Sequence, residues 1–224
     1  MNIIYEIENI NVNNIKQKRV PTLIKNGLQY FNKLKSWDER YIIENYGNSN
    51  CNYSYHARPV RSKLETTYYN YFNNLKKNSY TFTRTNYDIN NNNNFFINDL
   101  TFPNPFFNKE DIDKYIFYSG PKNTGALPHS HGSAFNLMVY GKKKWIFFDT
   151  ITNIGKLTEQ NYYKKYPRDV TYNYWYEKEY LLLKNTLPII ECIQEQTDII
   201  YIPNKFNHSV LNLDDTMGIV VELF

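Results

Sequence analysis

From Tyr115 to the carboxy terminus the sequence breaks into short apolar runs separated by turn residues: Tyr115–Tyr118, Phe135–Tyr140, Lys143–Phe148, Ile189–Ile193, Ile199–Ile202, Ser209–Leu213 and Gly218–Phe224. A succession of short strands of this kind argues for a sandwich or a barrel. Tyr140-Gly141-Lys142 reads as a tight hairpin turn, which places Lys143, Trp145 and Phe147 on one inward face of the following strand.

Ahead of these runs, residues 1–114 read as a lead-in of helices and strands, and residues 115–224 as the core of a single domain; a chain of 224 residues is long enough for one well-buried unit. Ser36-Trp37-Asp38-Glu39 has the serine-to-glutamate spacing of a capping box, with Tyr41 and Ile42 at helical intervals and Gly47 placed to end the helix. A second helix is expected over Thr67 to Lys76, where Tyr68, Phe72 and Leu75 share a face that packs against one wall of a barrel. The asparagine run at 90–94 reads as a surface loop. Thr158 to Leu183, rich in tyrosine and carrying Trp175, reads as a partly helical insertion over the barrel.

The chemistry gathers at histidine. His129-Ser130-His131 on one short strand would point two imidazoles the same way, since strand residues two apart share a face. His208 follows much later, and a metal ion is the natural occupant of a site where the three converge. Imidazole suits iron, zinc, copper or nickel. His56, alone in Tyr55-His56-Ala57-Arg58, is read as an ordinary histidine.

The residues around these histidines extend the pattern. Gly120-Pro121 and Gly125 precede His129; Gly141, Lys143 and Trp145 follow His131; Asp198, Tyr201 and Pro203 lead into His208, Val210, Asn212 and Leu213. In this order the spaced motifs resemble the jumonji-C (JmjC) hydroxylases of the cupin superfamily, of the small hydroxylase type. Arg19-Val20-Pro21, Ser36-Trp37 and Tyr46-Gly47 are similar to that group's amino-terminal lead-in.

The resemblance implies a mainly β fold, a double-stranded β-helix (jelly-roll or cupin barrel) with amino-terminal helices. It also implies Fe(II) held by His129, His131 and His208, with 2-oxoglutarate as co-substrate. Lys143 holds the lysine position of the G-x-K-x-W motif and would anchor the distal carboxylate of 2-oxoglutarate, with Asn136 near the same ligand. Phe135, Trp145 and Phe147 would line the site, or serve only as core. The implied reaction is hydroxylation of a protein or peptide side chain, with succinate and CO₂ as by-products.

Three positions depart from the family pattern. His131 stands where Asp or Glu is usual. Ala126 stands where relatives often place a hydroxyl that touches 2-oxoglutarate, a part that Thr124 could take. Glu222 stands on the last strand where Asn is frequent, and could replace the missing acid as a ligand. The all-imidazole set keeps two rivals open: a three-histidine cupin dioxygenase that does not use 2-oxoglutarate, and a non-catalytic JmjC-like binding protein.

Composition removes several classes. A net charge of +4 with scattered lysines gives no warrant for nucleic-acid binding, and two cysteines without CxxC spacing make neither a disulfide framework nor a zinc ribbon. No apolar stretch approaches the ~20 residues needed to cross a bilayer, and Met1-Asn2-Ile3-Ile4 lacks the order of a secretory signal. A soluble, intracellular and most simply cytoplasmic protein is expected.

Overall fold

Strands buried on both faces dominate the structure, a computed structural model that describes residues 5–6, 15, 19–55, 64–86, 96–148, 175–185 and 188–224. In chain order the strands are β1 (Tyr5–Glu6), β2 (Thr22–Ile24), β3 (Asn50–Ser54), β4 (Leu64–Thr67), β5 (Tyr80–Asn86), β6 (Ile112–Gly120), β7 (Gly125–His129), β8 (Ala134–Tyr140), β9 (Lys143–Phe148), β10 (Ile189–Gln194), β11 (Ile199–Ile202), β12 (His208–Asn212) and β13 (Thr216–Leu223). They form a nine-stranded sheet, β1-β2-β11-β8-β13-β6-β5-β3-β4, and a four-stranded sheet, β10-β9-β12-β7. From β6 onward the chain passes repeatedly between the two sheets, the winding of a double-stranded β-helix.

Strand alternation divides the side chains among three cores. On β6, Tyr115 and Phe117 face outward onto the helical layer, whereas Ile116 and Tyr118 face the space between the sheets. On β11, Ile199 and Tyr201 face out while Ile200 and Ile202 face in. This double burial is why the strands read as nearly continuous apolar runs rather than as alternating ones. The inner core is closed from the small sheet by Trp145, Phe147 and Val210. The opposite face of that sheet carries Ile146, Phe148 and Leu211 under Trp175 and Tyr180.

Helix α1 (Glu39–Tyr46) is capped by Asp38, whose carboxylate accepts from the Tyr41 N–H at 2.7 Å. The expected cap at Ser36 is corrected: Ser36 ends a 3₁₀ turn and donates its hydroxyl to the Lys33 carbonyl at 2.8 Å. Helix α2 (Tyr68–Asn70) is capped by Thr67 and continues through a π-helical stretch, Tyr71–Leu75. Tyr68, Tyr71 and Phe72 are buried there, with Leu75 packed alongside, so the expected face does meet the wall of the large sheet. Trp175–Tyr180 and α3 (Leu181–Lys184) are the described part of the expected insertion. Residues 149–174, the asparagine run and His56 lie outside the described residues.

The hairpin expected at Tyr140-Gly141-Lys142 is a corner. β8 pairs with β13 and β11 in the large sheet, whereas β9 pairs with β12 and β10 in the small one. Gly141 turns the chain at φ +99°, and a Cβ there would meet the Asp215 carbonyl at 2.2 Å. The Leu213 N–H donates to the Lys142 carbonyl at 2.8 Å and fixes the corner. The consequence foreseen for β9 survives the change of sheet: Lys143, Trp145 and Phe147 are all buried on its inner face.

Candidate metal centre

β7 and β12 are antiparallel neighbours, and their register sets His129 opposite His208. Gly125 permits the close approach, since a Cβ there would lie 1.9 Å from the Val210 carbonyl oxygen. β12 is flanked by β7 and β9, so His208 enters the inner space from the middle of the small sheet. His131 does not share the strand of His129, which ends at His129 itself; it lies in the short loop leading to β8. That loop is tied to the β11–β12 connection by the Lys205 N–H, which donates to the His131 carbonyl at 2.8 Å.

The three rings converge all the same. Ring centroids are 4.3 Å apart for His129 and His208, 4.8 Å for His131 and His208, and 5.6 Å for His129 and His131. One nitrogen from each lies within 4.8 Å of the others. Each Nδ1 sits beside a backbone carbonyl: Leu127 at 2.7 Å for His129, Gly132 at 2.7 Å for His131 and Phe206 at 2.8 Å for His208. A carbonyl only accepts, so each Nδ1 carries the proton and each Nε2 keeps its lone pair. Carbonyls placed in this way fix the tautomer and the orientation of each ring, as a metal ligand requires.

Burial keeps the rings neutral. It lowers His129 to about 4, with the neighbouring His131 adding to the effect. It also lowers His131, and it drives His208 well below the usual histidine range. Neutral imidazole is the ligand form, so the donors need no deprotonation at neutral pH.

The same depression makes the metal-free fold acid-sensitive. Unfolded histidine titrates near 6.5, so between pH 6.5 and about 4 the unfolded chain binds more protons than the folded one, and stability falls as pH falls. At about 1.4 kcal/mol per unit, His129 alone withdraws up to about 3 kcal/mol across that window. Urea midpoints of metal-free protein at pH 7.5 and 4.5 are expected to differ accordingly, and His129→Gln to narrow the gap; an unchanged gap would rule out the neutral ring.

A cavity of about 40 Å³ opens beside the rings, and Tyr80, Tyr118, Asn136, Lys143, Trp145 and Glu222 are among its lining residues. Asn136 is buried, and its Oδ1 accepts from the Tyr118 hydroxyl at 3.0 Å. Lys143 is 2% exposed, and its ammonium lies 3.2 Å from the centre of the Tyr118 ring. Burial pushes Lys143 well below the usual lysine range. Among the described residues no carboxylate pairs with it.

Thr124 sits elsewhere. Its hydroxyl donates to the Pro121 carbonyl at 2.6 Å and accepts from Asn212 Nδ2 at 2.9 Å, holding the turn before β7. Phe135 is corrected as a lining residue: as the neighbour of Asn136 on β8 it faces the opposite way, against Phe106, Phe107 and Tyr201. Phe147 packs beside His208 at 6.1 Å between centroids. Glu222 is outside the cluster of convergent ligand atoms and instead pairs with Lys114 at 2.9 Å.

Sequence reasoning missed Tyr80, Tyr118 and Lys114, which reach the site from β5 and β6. Tyr118 belongs to a run that reads simply as core, and no spacing ties it to the histidines. Asp198, read from sequence as a turn former, accepts from the Asn26 N–H at 3.1 Å, the Glu195 N–H at 3.0 Å and Lys25 Nζ at 2.8 Å, joining β2 to the turn before β11.

Residues 127–223 match the family model described as JmjC domain, hydroxylase. The mouse (Mus musculus) 2-oxoglutarate and iron-dependent oxygenase JMJD4 is 31% identical over 125 residues, covering 52% of this chain and 28% of that protein. The Arabidopsis thaliana arginine-specific demethylase JMJ20 is 28% identical over 113 residues, 48% of this chain and 23% of that one. Human (Homo sapiens) JmjC domain-containing protein 8 is 26% identical over 117 residues, 52% of this chain and 40% of that one. The match spans less than half the length of each of these relatives. Among the described residues no helix is long and apolar enough to cross a membrane.

Proposed function

We propose that this protein is an Fe(II)- and 2-oxoglutarate-dependent oxygenase that hydroxylates a protein or peptide side chain, a reading supported by the match of residues 127–223 to the JmjC domain model. The names of the mouse and Arabidopsis relatives, an iron-dependent oxygenase and an arginine-specific demethylase, support that class of activity and of substrate. When bound, iron with 2-oxoglutarate would supply C–H hydroxylation with O₂ as the oxidant, one oxygen atom going to the new hydroxyl and the other to the succinate that leaves with CO₂.

The donor set fits such an ion. Three neutral Nε2 atoms on one side leave the rest of the coordination sphere to ligands from the cavity. His129, His131 and His208 would hold the ion, and the carbonyls of Leu127, Gly132 and Phe206 hold the rings. Trp145 and Phe147, stacked at 5.6 Å, wall the site from water on the small-sheet side.

The observation that carries the co-substrate assignment is Lys143. An ammonium buried without a carboxylate is costly, and here it faces the ring of Tyr118. A dianion entering the cavity would supply the missing charge, and Lys143 would bind its distal carboxylate while Asn136, held by Tyr118, fixes the wall beside it. A desolvated charge-assisted pair contributes about 1.5–3 kcal/mol. Lys143→Met is therefore expected to weaken 2-oxoglutarate binding about ten- to a hundredfold, and succinate release to fall with it at fixed co-substrate. Unchanged succinate formation in that variant would defeat the assignment.

The absence of a carboxylate at position 131 favours one second reading, a three-histidine dioxygenase that does not use 2-oxoglutarate. It calls for oxygen consumption without succinate and for indifference to Lys143→Met. Neither oxygen consumption nor succinate, in a protein that still loads metal, would leave a non-catalytic binding protein.

A further inference from the structure

Three imidazoles bring no negative charge to a divalent ion, yet the cavity wall beside them holds a buried carboxylate. Glu222, on β13, is 3% exposed and lines the same cavity as His129, His131 and His208. β-sheet register places it between Ala134 on β8 and Lys114 on β6. Its Oε2 lies 2.9 Å from Lys114 Nζ, and Lys114 in turn meets Asp113 Oδ2 at 2.6 Å. Two carboxylates share one ammonium, so the triad carries a net negative charge.

The Lys114 ammonium alone beside the cavity would repel an ion there, and the two carboxylates reverse the sign of that charge. Direct ligation is not the arrangement found, because Glu222 stands outside the convergent ligand atoms and is occupied by Lys114. A carboxylate has acceptor capacity for more than one donor, so a water on the ion could also be received there.

We propose that Glu222, held by Lys114 and Asp113, is the counter-charge of the metal centre, supplying from outside the ligand set the negative charge that His131 leaves out. The inference rests on the metal-centre reading above, and concerns a positioning residue rather than a ligand.

The test is a cobalt(II) titration of the metal-free full chain by calorimetry, with the visible absorption of the bound ion as a second readout. Glu222→Gln is expected to weaken binding about ten- to a hundredfold, the range for outer-shell partners of a metal site, with the cobalt band positions unchanged. In a His131→Asp background, where the acid is restored inside the ligand set, the same Glu222→Gln substitution is expected to cost less than about threefold.

An affinity within twofold of the wild type overturns the inference, as does an equal loss in both backgrounds, which would mark a merely structural role. A changed cobalt spectrum overturns it too, by making Glu222 a direct ligand. If Glu222→Gln fails to fold, Asp113→Asn at the exposed end of the triad is expected to weaken binding about two- to fivefold, and no change there is equally fatal. Wild-type protein that binds no cobalt removes the metal centre itself, a failure distinct from that of Glu222.

Discussion

His208→Ala is expected to lower the affinity for a divalent ion more than about a hundredfold, beyond the ten- to hundredfold loss typical of outer-shell partners. His208 is the best-fixed member of the cluster. It is 1% exposed, lies on a strand hydrogen-bonded on both sides, and packs against Trp145 at 5.6 Å and Phe147 at 6.1 Å between ring centroids. Its Nδ1 is occupied by the Phe206 carbonyl, so Nε2 is the atom presented to the other two rings. Removing it leaves His129 and His131, the pair farthest apart by ring centroid.

Truncation also empties a packed position, and large-to-small changes in a core cost about 2–5 kcal/mol. The metal measurement is therefore made beside His208→Gln, which keeps most of the volume and lacks the imidazole. Both variants should lose the ion, and only the alanine variant should lose much of its thermal stability without metal. Anaerobic calorimetry with Fe(II) or Mn(II) reads the first effect and calorimetric melting the second. Affinity within tenfold of the wild type in both would mean that two imidazoles suffice and that the three rings do not act as one centre.

How far the sequence discloses this arrangement depends on what each strand buries. β9 and β11 coincide with their apolar runs because both faces are covered, one by the inner core and one by an outer layer. β3, β4 and β5 at the edge of the large sheet carry no such run: Asn50–Ser54 and Leu64–Thr67 are mostly polar, and of their side chains only Cys51 and Ser54 are buried. Local sequence also cannot say which sheet a strand will join, so Tyr140-Gly141-Lys142 looks like a hairpin although it is a corner.

The convergence of the histidines was legible because a cluster able to hold a metal demands a residue type that the core does not. For His131 the two-residue spacing from His129 suggests a strand, but the convergence comes from a loop fixed by Lys205. Tyr118 and Lys114 were illegible for the opposite reason, since a tyrosine and a lysine on a central strand have commoner uses. Asp99 belongs with them. An acid set among Phe96, Ile97 and Leu100 is a signal, but its partners lie some sixty positions away and nothing local points to them.

Asp99→Ala is expected to be the most destabilising single substitution outside the histidine cluster. The carboxylate is 4% exposed, and its Oδ2 accepts from Trp37 Nε1 at 2.9 Å, the Tyr41 hydroxyl at 2.9 Å and the Tyr46 hydroxyl at 2.7 Å. Lys33 stands 3.8 Å from Oδ1 and supplies only an exposed balancing charge. One side chain thus fastens both ends of α1, and the tryptophan that precedes it, to the layer covering the large sheet. Trp37 packs on Phe96 at 5.2 Å and on Phe117 of β6 at 6.0 Å, so the fastening reaches the barrel wall. Alanine leaves three donors facing an empty acceptor position, and each orphaned donor costs about 1–3 kcal/mol. Water entering the vacated space and relaxation of Tyr41 return part of it, which sets the expected loss near 3–5 kcal/mol, comparable to breaking a buried ion pair. For a chain of this size that lowers the melting temperature by roughly 10 °C. Asp99→Asn keeps one acceptor but turns an amide toward three donors, and should recover only part of the loss. Tyr46→Phe, which removes one donor and leaves none stranded, should cost about 1 kcal/mol. Equal melting temperatures for Asp99→Ala and Tyr46→Phe would show that the carboxylate is not the common acceptor that ties α1 down.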